Sequence, residues 1–282
     1  MDMPLQLAAE IEHNVLAALS EDIGSGDLTA QLTPGGHVAQ GTVISRQDAV
    51  LAGQDWFNAC FRHLDAKAEI VWTAQDGERI GAGQVLCQVR AETRALLTAE
   101  RAALNFLQLL SGTATTTRRY ADAVAGTGAR IVDTRKTLPG LRLAQKYAVR
   151  CGGGSNHRLG LYDGILIKEN HIIAAGGIPQ ALQRAGHLAA SGVFIQIEVE
   201  DLDQLAEALD CGAKLILLDN MSLHQMRQAV GLTAGRAELE ASGGIRLDMV
   251  RAIAETGVDR ISIGCLTKDL RAVDLSLRHV ES

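Results

Sequence analysis

Aromatic residues and prolines are scarce in this chain. Aromatic side chains make up 3% of its 282 residues, and it contains only 4 prolines. An all-β sandwich usually carries more of both, so the composition argues against that class and favours an α/β protein. Apolar runs also stop well short of the roughly 20 residues that a membrane-spanning helix needs.

Cysteine pairs are missing too. The five cysteines (60, 87, 151, 211 and 265) are odd in number and scattered, with no CxxC spacing. This pattern argues against a disulfide framework or a zinc site and suits a reducing compartment. Residues 1–10 show no basic stretch followed by a hydrophobic segment, so we expect no signal peptide and a cytoplasmic location.

Positive charge is scarce overall but locally concentrated. The net charge is −6, which argues against nucleic acid as a partner. Residues 130–170 nevertheless carry eight Lys or Arg against three acids. A cationic cluster in an acidic protein is typical of a site that captures a small, highly anionic ligand.

The first half of the sequence indicates a small mixed domain. Leu5, Ala8, Ile11, Val15 and Leu19 recur at helical spacing. Short apolar runs at 41–45, 69–73 and 84–89 then predict a β-rich layer. A helix over 93–110, ended by the Ser-Gly pair at 111–112, closes the domain. We therefore place domain boundaries at 1–111, 112–269 and 270–282, the last a tail packing on the first domain.

The second half predicts parallel β-α units. Apolar runs at 130–133, 164–168, 193–199, 214–219, 237–241 and 260–263 alternate with helical stretches. Gln196, Glu198, Glu238 and Glu240 alternate with apolar neighbours, whereas an open sheet covered on both faces would be apolar throughout. The region is shorter than the roughly 250 residues of a full eight-unit barrel. We expect an incomplete α/β barrel of six or seven strands.

Polar clusters follow the predicted strands, where barrel enzymes keep their active sites. Arg135 and Lys136 offer a planar fork for a carboxylate and a mobile charge for a phosphate, although a solvated loop is an equal alternative. Lys168 ends a strand, and alternation places it inside the barrel if the isoleucines at 165 and 167 face the helices. It would then need an anionic partner, the alternative being a structural ion pair with Glu198.

Two further clusters suit a magnesium ion and a phosphate. Glu198 and Asp219 end neighbouring strands, and Mg²⁺ prefers such oxygen ligands shared with substrate phosphates; bonds to local backbone or to Lys168 are the alternative. Ser242-Gly243-Gly244 precedes a predicted helix, and Ser262-Ile263-Gly264 repeats the pattern one unit later. Glycines there let backbone N–H groups close on a phosphate.

These segments together resemble the quinolinate phosphoribosyltransferase family, in the family's order and over nearly the whole chain. The matching stretches are 100–108 (ERAALNFLQ), 133–137 (DTRKT), 156–158 (NHR), 166–171 (LIKENH), 198–200 (EVE), 218–220 (LDN) and 242–244 (SGG). One departure is Thr267-Lys268-Asp269, where the family commonly has Thr-His-Ser, which puts local loop contacts in doubt.

The resemblance implies a function, a fold and an assembly. It implies Mg²⁺-dependent transfer of phosphoribosyl from phosphoribosyl pyrophosphate to quinolinate with decarboxylation, a step of NAD biosynthesis. It implies an N-terminal α/β sandwich, an incomplete α/β barrel and a homodimer without nucleic-acid or membrane partners. Arg101, by default an exposed helix residue, would reach into the partner's site.

The resemblance also assigns roles to residues. Quinolinate would be held by Arg101, Thr134, Arg135, His157, Arg158 and Lys168. Phosphoribosyl pyrophosphate would be held by Lys136, Glu198, Asp219, Ser242, Gly243, Gly244, Ile263, Gly264 and Cys265. The catalytic residues would be Lys136, Lys168, Glu198 and Asp219, with Glu198 and Asp219 holding Mg²⁺ through water.

Two alternatives stay open at this stage. A nicotinate phosphoribosyltransferase, or the molybdate-transport-associated relative of the same fold, is the nearest, although a monocarboxylate needs fewer cations. Residues 76–86 also resemble a lipoyl-carrier hairpin, which would make the first domain a carrier. A carrier needs a modifiable lysine at the hairpin tip, and the only lysine before residue 136 is Lys67.

Overall fold

The structure is a computed structural model that describes residues 3–280. By packing, this part of the chain divides into two compact units. The first contains the residues up to 118, 137–153 and those from 267 onward; the second contains 119–136 and 154–266. The segment 137–153 thus packs with the first unit, whereas the sequence alone places it within the predicted domain 112–269.

The helices in the described residues are α1 (Met3–Ile23), α2 (Gln54–Leu64), α3 (Thr93–Ala123), α4 (Arg142–Cys151), α5 (Glu169–Ala175), α6 (Ile178–Leu188), α7 (Leu202–Asp210), α8 (Leu223–Thr233), α9 (Leu247–Ala254) and α10 (Cys265–Lys268). The strands are β1 (Val38–Ser45), β2 (Ala49–Val50), β3 (Glu69–Trp72), β4 (Arg79–Ile80), β5 (Val85–Glu92), β6 (Arg130–Val132), β7 (Gly164–Ile167), β8 (Phe194–Val199), β9 (Leu215–Asp219), β10 (Glu238–Ser242), β11 (Arg260–Ser262) and β12 (Leu275–Val280). Within residues 3–280, we find no helix with the length and apolar character needed to cross a membrane.

An antiparallel sheet of four strands, the helices α1, α2 and α4, and most of α3 build the first unit. The sheet has the order β12-β1-β5-β3, and β12, from the predicted C-terminal tail, pairs along β1. Apolar side chains from the sheet, α2 and α3 form one buried cluster that includes Val43, Phe57, Phe61, Leu86 and Leu107. Residues 281 and 282 of the tail lie outside the described part.

The predicted end of the third helix at Ser111-Gly112 is wrong, because α3 continues to Ala123. A Cβ on Gly112 would collide with the carbonyl oxygen of Arg271. Ser111 Oγ accepts a hydrogen bond from Ala52 N at 3.0 Å. The pair therefore allows close packing inside a helix, where glycine and serine are usually signs of a break.

Six parallel strands build the second unit and confirm the predicted α/β architecture. Their order, β6-β11-β10-β9-β8-β7, follows the chain except that β6 lies beside β11. This is the order of a barrel that stays open between β6 and β7. Gln196 and Glu240 are fully buried, so polar side chains do occupy the interior. Glu238, by contrast, does not point into the interior. Half of its side chain is exposed, and its Oε2 lies 3.3 Å from Arg130 Nη2.

Candidate active site

A cavity of about 320 Å³ lies within the second unit and gathers most of the predicted cations. Eight predicted residues line it: Thr134, Arg135, Lys136, His157, Arg158, Lys168, Glu198 and Ser242. Sequence reasoning left four lining residues without a role, Asp133, Leu166, Leu217 and Glu240, and it named a fifth, Ser262, only as part of the second glycine turn. Most of the lining follows or ends a parallel strand, because the carboxyl ends of such strands meet at one edge.

Some predicted residues do not line this cavity as the structure describes it: Arg101, Asp219, Gly243, Gly244, Ile263, Gly264 and Cys265. Asp219 is the last residue of β9. This strand pairs with β8, which carries Glu198. Arg101 is exposed on α3, in the first unit. Its predicted role in a partner's site stays a prediction.

Two arginines face the cavity as neighbouring like charges. Arg158 Nη1 donates to the carbonyl oxygen of Gly164 at 2.9 Å. Burial, and then the positive charge of Arg135, lower the pKa of the Arg158 guanidinium. Arg135 Nε is buried with no hydrogen-bond partner in the described residues. Buried donors and repelling cations are both stabilised by an anion that carries more than one acceptor group.

A buried aspartate fixes the segment that carries His157 and Arg158. Asp133 is fully buried at the end of β6. Its Oδ1 accepts from the backbone N–H of His157 at 2.8 Å, and its Oδ2 accepts from Asn156 Nδ2 at 2.7 Å. Phe194 lies edge-on to the His157 ring, with ring centres 5.5 Å apart. Asp133 is therefore the support for residues 156–158, a function that local sequence does not reveal.

Lys168 lines the cavity, but the prediction that it is buried inside the barrel is wrong. Its side chain is 53% exposed, and its Nζ lies 3.6 Å from Glu198 Oε2. Lys168 has an extended backbone and lies between the end of β7 and the start of α5, where its side chain is accessible to solvent. Both interpretations weighed for it therefore hold: Lys168 is a cavity cation and the ion-pair partner of Glu198.

Carboxylates crowd around Glu198. Burial raises the pKa of the Glu198 carboxyl, Lys168 opposes this, and the negative charges of Asp219 and Glu200 raise the pKa further. In the described residues no group of three or more His, Cys, Asp or Glu side chains could hold a metal alone. Mg²⁺ usually takes only one or two carboxylates and completes its shell with water and phosphate. A divalent cation would relieve this repulsion, so the residues fit one.

The glycine loop after β10 requires glycine for steric reasons. Gly243 has φ +113°, and a Cβ there would collide with the Asn220 side chain. Gly244, with φ +55°, meets no neighbour. In the second such turn, a Cβ on Gly264 would lie 3.2 Å from Lys136 Cδ. Glycine at 264 thus leaves room for the Lys136 side chain beside the turn.

The other residues of the second turn make structural contacts. Ile263 is buried and its N–H donates to the carbonyl oxygen of Val132 at 2.9 Å. Cys265 Sγ lies 3.2 Å from the hydroxyl of Tyr120. In the departing triplet, Lys268 Nζ and Asp269 Oδ1 form an exposed ion pair of 3.7 Å. Such a pair contributes little to stability.

Comparison with known proteins agrees with this geometry. The family model for the quinolinate phosphoribosyl transferase N-terminal domain matches residues 27–111, and that for the C-terminal domain matches 113–278. A Mycobacterium leprae protein described as nicotinate-nucleotide pyrophosphorylase (carboxylating) is 45% identical over 270 residues, covering 92% of this chain and 94% of that one. A Bacillus subtilis protein described as a probable enzyme of the same name is 41% identical over 273 residues, covering 97% and 93%.

A solved structure agrees as well. The nicotinate-nucleotide pyrophosphorylase from Francisella tularensis superposes with a TM-score of 0.93 at 43% identity, covering 96% of each chain. The matched domains cover most of the residues and follow the same order as the motifs around the cavity. The chain belongs to the quinolinate phosphoribosyltransferase family.

Proposed function

We propose that this chain transfers phosphoribosyl from phosphoribosyl pyrophosphate to the ring nitrogen of quinolinate, releasing pyrophosphate and CO₂ and giving nicotinate mononucleotide. The observation that carries the proposal is the pair Arg135 and Arg158, which face one cavity with Lys168. The two guanidiniums repel each other and include a buried, unpartnered donor. A dicarboxylate supplies the charge and the acceptors that this pair lacks.

The quinolinate carboxylates would lie against the cationic side of the cavity. Charge-assisted hydrogen bonds from a planar guanidinium fix the orientation of a carboxylate as well as its position. A monocarboxylate such as nicotinate would leave part of this positive charge unmatched, so quinolinate is favoured over the nicotinate alternative. The residues proposed for this role are Thr134, Arg135, His157, Arg158 and Lys168.

Phosphoribosyl pyrophosphate would lie along the glycine loops and the acids. Lys136 Nζ would contact its phosphates, and backbone N–H groups of the two turns would hold the 5′-phosphate. The glycines at 243 and 264 keep both turns free of side-chain atoms. The residues proposed here are Lys136, Glu198, Asp219, Ser242, Gly243, Gly244, Ile263, Gly264 and Cys265.

Glu198 and Asp219 would hold Mg²⁺ through water, and the ion when bound would neutralise charge on the leaving pyrophosphate. The raised pKa of Glu198 beside Asp219 supports this assignment. We expect calorimetry to detect Mg²⁺ binding to the protein with phosphoribosyl pyrophosphate and to show weaker binding for Asp219→Asn. Equal Mg²⁺ affinity in the two proteins would contradict the assignment, whatever the activity.

The proposed reaction depends on charged side chains held next to the atoms where charge develops. As the ring nitrogen attacks C1 of the ribose, positive charge develops on the sugar, and the carboxylates of Glu198 and Asp219 favour it. The adduct is a pyridinium whose positive nitrogen stabilises the carbanion left when the adjacent carboxylate departs as CO₂. That carbon then takes up a proton from water, which gives nicotinate mononucleotide. Arg135 and Arg158 keep that carboxylate in register with the ring.

We also propose a homodimer in which Arg101 serves the partner's site. An exposed arginine on a helix that packs many of its apolar residues into the core of the first unit supports this. A cytoplasmic location is part of the proposal, since Cys60, Cys87, Cys151, Cys211 and Cys265 are all free thiols. Free thiols suit a reducing compartment.

One experiment tests the function. The protein is incubated with quinolinate, phosphoribosyl pyrophosphate and Mg²⁺, and the mixture is analysed for nicotinate mononucleotide and CO₂. Nicotinate replaces quinolinate in a parallel reaction. Product from quinolinate in preference to nicotinate is expected; product from nicotinate alone, without CO₂, would overturn the proposal in favour of the alternative.

A further inference from the structure

A chain of hydrogen bonds crosses the interior of the second unit and ends at the backbone of Arg158. Gln196 and Glu240 project from β8 and β10, and neither is exposed. His157 Nε2 lies 2.7 Å from Gln196 Oε1, and Gln196 Nε2 donates to Glu240 Oε2 at 3.1 Å. At the far end, Arg260 Nε lies 3.2 Å from the same Glu240 oxygen.

The partners at each end of this hydrogen-bond series determine which ring nitrogen of His157 carries the proton. The backbone N–H of Arg158 donates to His157 Nδ1 at 2.7 Å, so Nδ1 must be an acceptor without a proton. A neutral imidazole then carries its proton on Nε2, where it faces the carbonyl oxygen of Gln196. Each group in the chain thus donates in one direction, from Arg158 towards Glu240.

The alternative arrangements each place like groups together. Turning the Gln196 amide over would bring its oxygen against the Glu240 carboxylate, two acceptors 3.1 Å apart. A proton on both ring nitrogens would set the Nδ1–H of His157 against the N–H of Arg158 at 2.7 Å. Both arrangements are disfavoured, because buried polar groups of the same kind repel each other at these distances. A doubly protonated imidazole would have its Nε2 3.8 Å from Glu240 Oε2, which is longer than a hydrogen bond and does not relieve the 2.7 Å contact at Nδ1.

Arg260 fixes the position of Glu240, the last acceptor in the hydrogen-bond series. A fully buried carboxylate is stable as an anion only with a charged or hydrogen-bonded partner. Arg260 provides the charge, since its side chain is only 15% exposed and β11 pairs with β10 so that residues 240 and 260 lie opposite each other. Strand register therefore holds the Glu240 side chain in place, and through it the amide of Gln196.

We propose that Gln196 and Glu240 are positioning residues that hold His157 as its neutral Nε2–H tautomer and, through the bond to the Arg158 N–H, orient the Arg158 side chain towards the cavity. Both ring nitrogens of His157 are engaged in this row of hydrogen bonds, Nε2 with Gln196 and Nδ1 with the backbone of Arg158. His157 therefore belongs to the set of residues proposed to hold quinolinate because it positions Arg158, and it donates no N–H of its own to the dicarboxylate. What Arg158 binds rests on the proposed function; the tautomer does not.

The tautomer is measured on the whole wild-type protein without substrates. In ¹⁵N-labelled protein, His157 is assigned from the signals lost in His157→Gln, and the two ring nitrogens are distinguished by their ¹⁵N chemical shifts. A protonated Nε2 and an unprotonated Nδ1 are expected. A proton on Nδ1, alone or together with one on Nε2, would overturn the proposal.

Kinetics of Gln196→Met test the positioning role. The variant keeps the size of the side chain and removes both hydrogen bonds. We expect KM for quinolinate to rise about tenfold, while KM for phosphoribosyl pyrophosphate changes by less than about twofold. The ¹⁵N signals of His157 should move as well. Equal increases in both KM values, or no change in either, would contradict the positioning role.

A matched control is available in the first unit. Gln54 is also buried and makes two hydrogen bonds, from its Nε2 to the carbonyl oxygen of Ala74 and from Asp76 N to its Oε1. Gln54→Met should lower the melting temperature without changing the ratio of the two KM values. If wild-type protein formed no nicotinate mononucleotide, the proposed function would fail, whereas the ¹⁵N spectrum would still decide the tautomer.

Discussion

The ammonium nitrogen of Lys168 lies 3.6 Å from Oε2 of Glu198, at the carboxyl ends of the neighbouring strands β7 and β8. The two groups differ in their surroundings, since the Lys168 side chain is 53% exposed and that of Glu198 only 16%. Burial favours the neutral form of Glu198, and Lys168 is the nearby charge that opposes it. Lys168 therefore favours the ionised form of Glu198 against the larger effect of burial.

Lys168→Met should raise the pKa of Glu198 further, because the positive charge that favours the carboxylate is gone. Asp219→Asn should lower the pKa of Glu198, because a neighbouring negative charge is removed. Carboxyl ¹³C NMR titration of the substrate-free protein measures both shifts. Any activity that needs ionised Glu198 would begin at higher pH in the first variant.

Lys214→Met is the control for this titration. Lys214 is exposed and its Nζ bonds the carbonyl oxygen of Arg236 at 3.5 Å. Removing the Lys214 charge should leave the pKa of Glu198 unchanged. Shifts of Glu198 in the same direction in Lys168→Met and Asp219→Asn would contradict the charge argument.

Arg158→Lys should weaken the enzyme although the charge is kept. A lysine cannot bond the Gly164 carbonyl and present a planar fork to a carboxylate at the same time. Loss of one charge-assisted hydrogen bond costs about 2–3 kcal/mol, or roughly 30- to 150-fold in kcat/KM for quinolinate. Steady-state kinetics measure it, with Arg184→Lys on the exposed side of α6 as the control. Unchanged kcat/KM in Arg158→Lys would sink the assignment.

Much of the second unit could be predicted because its strands are short, largely apolar runs followed by polar residues. Each of the six predicted runs overlaps a strand of the sheet. Two cavity cations also follow from local sequence, since Arg135 and Lys168 come shortly after β6 and β7. Parallel strands bring such positions together without any further information. Arg158 lies before β7 and is held at this edge through the bonds of Asp133 to residues 156 and 157.

What could not be predicted depends on contacts between distant segments. The chain from His157 to Arg260 depends on the register of β8, β10 and β11, which one sequence does not specify. Its only signal was the polar residues Gln196 and Glu240 within apolar strands. Gly112 failed as a helix end for the same reason, because residue 271 packs against it.

Gly112→Ala should destabilise the protein, although alanine is the better helix former by about 1 kcal/mol. The new Cβ would collide with the carbonyl oxygen of Arg271, and backbone atoms cannot move aside cheaply. Gly186→Ala, in α6 with no atom within 4 Å of the new Cβ, should instead stabilise by about 0.5–1 kcal/mol. Chemical denaturation measures both; changes of the same sign would contradict the packing explanation.

Gly243→Ala should cost more stability than Gly244→Ala. Both residues have positive φ, where alanine loses about 1–2 kcal/mol, but only the Cβ at 243 collides with Asn220. Gly243→Ala should also raise KM for phosphoribosyl pyrophosphate. Adding Asn220→Gly should recover part of the loss, since Asn220 itself has φ +54°. No recovery in the double variant would mean that the side-chain collision is not the cause.

Mixed dimers test the proposed role of Arg101. Arg101→Ala and Arg158→Ala should each be inactive alone, the first because it lacks the arginine supplied to the partner and the second because its own cavity cannot hold quinolinate. When equal amounts are unfolded and refolded together, half of the dimers contain one chain of each kind. In these dimers one of the two sites pairs an intact cavity with an intact Arg101, so the mixture should regain about a quarter of wild-type activity. Refolding each variant alone is the control. If Arg101 served its own chain, both sites of the mixed dimer would stay defective and the mixture would stay inactive.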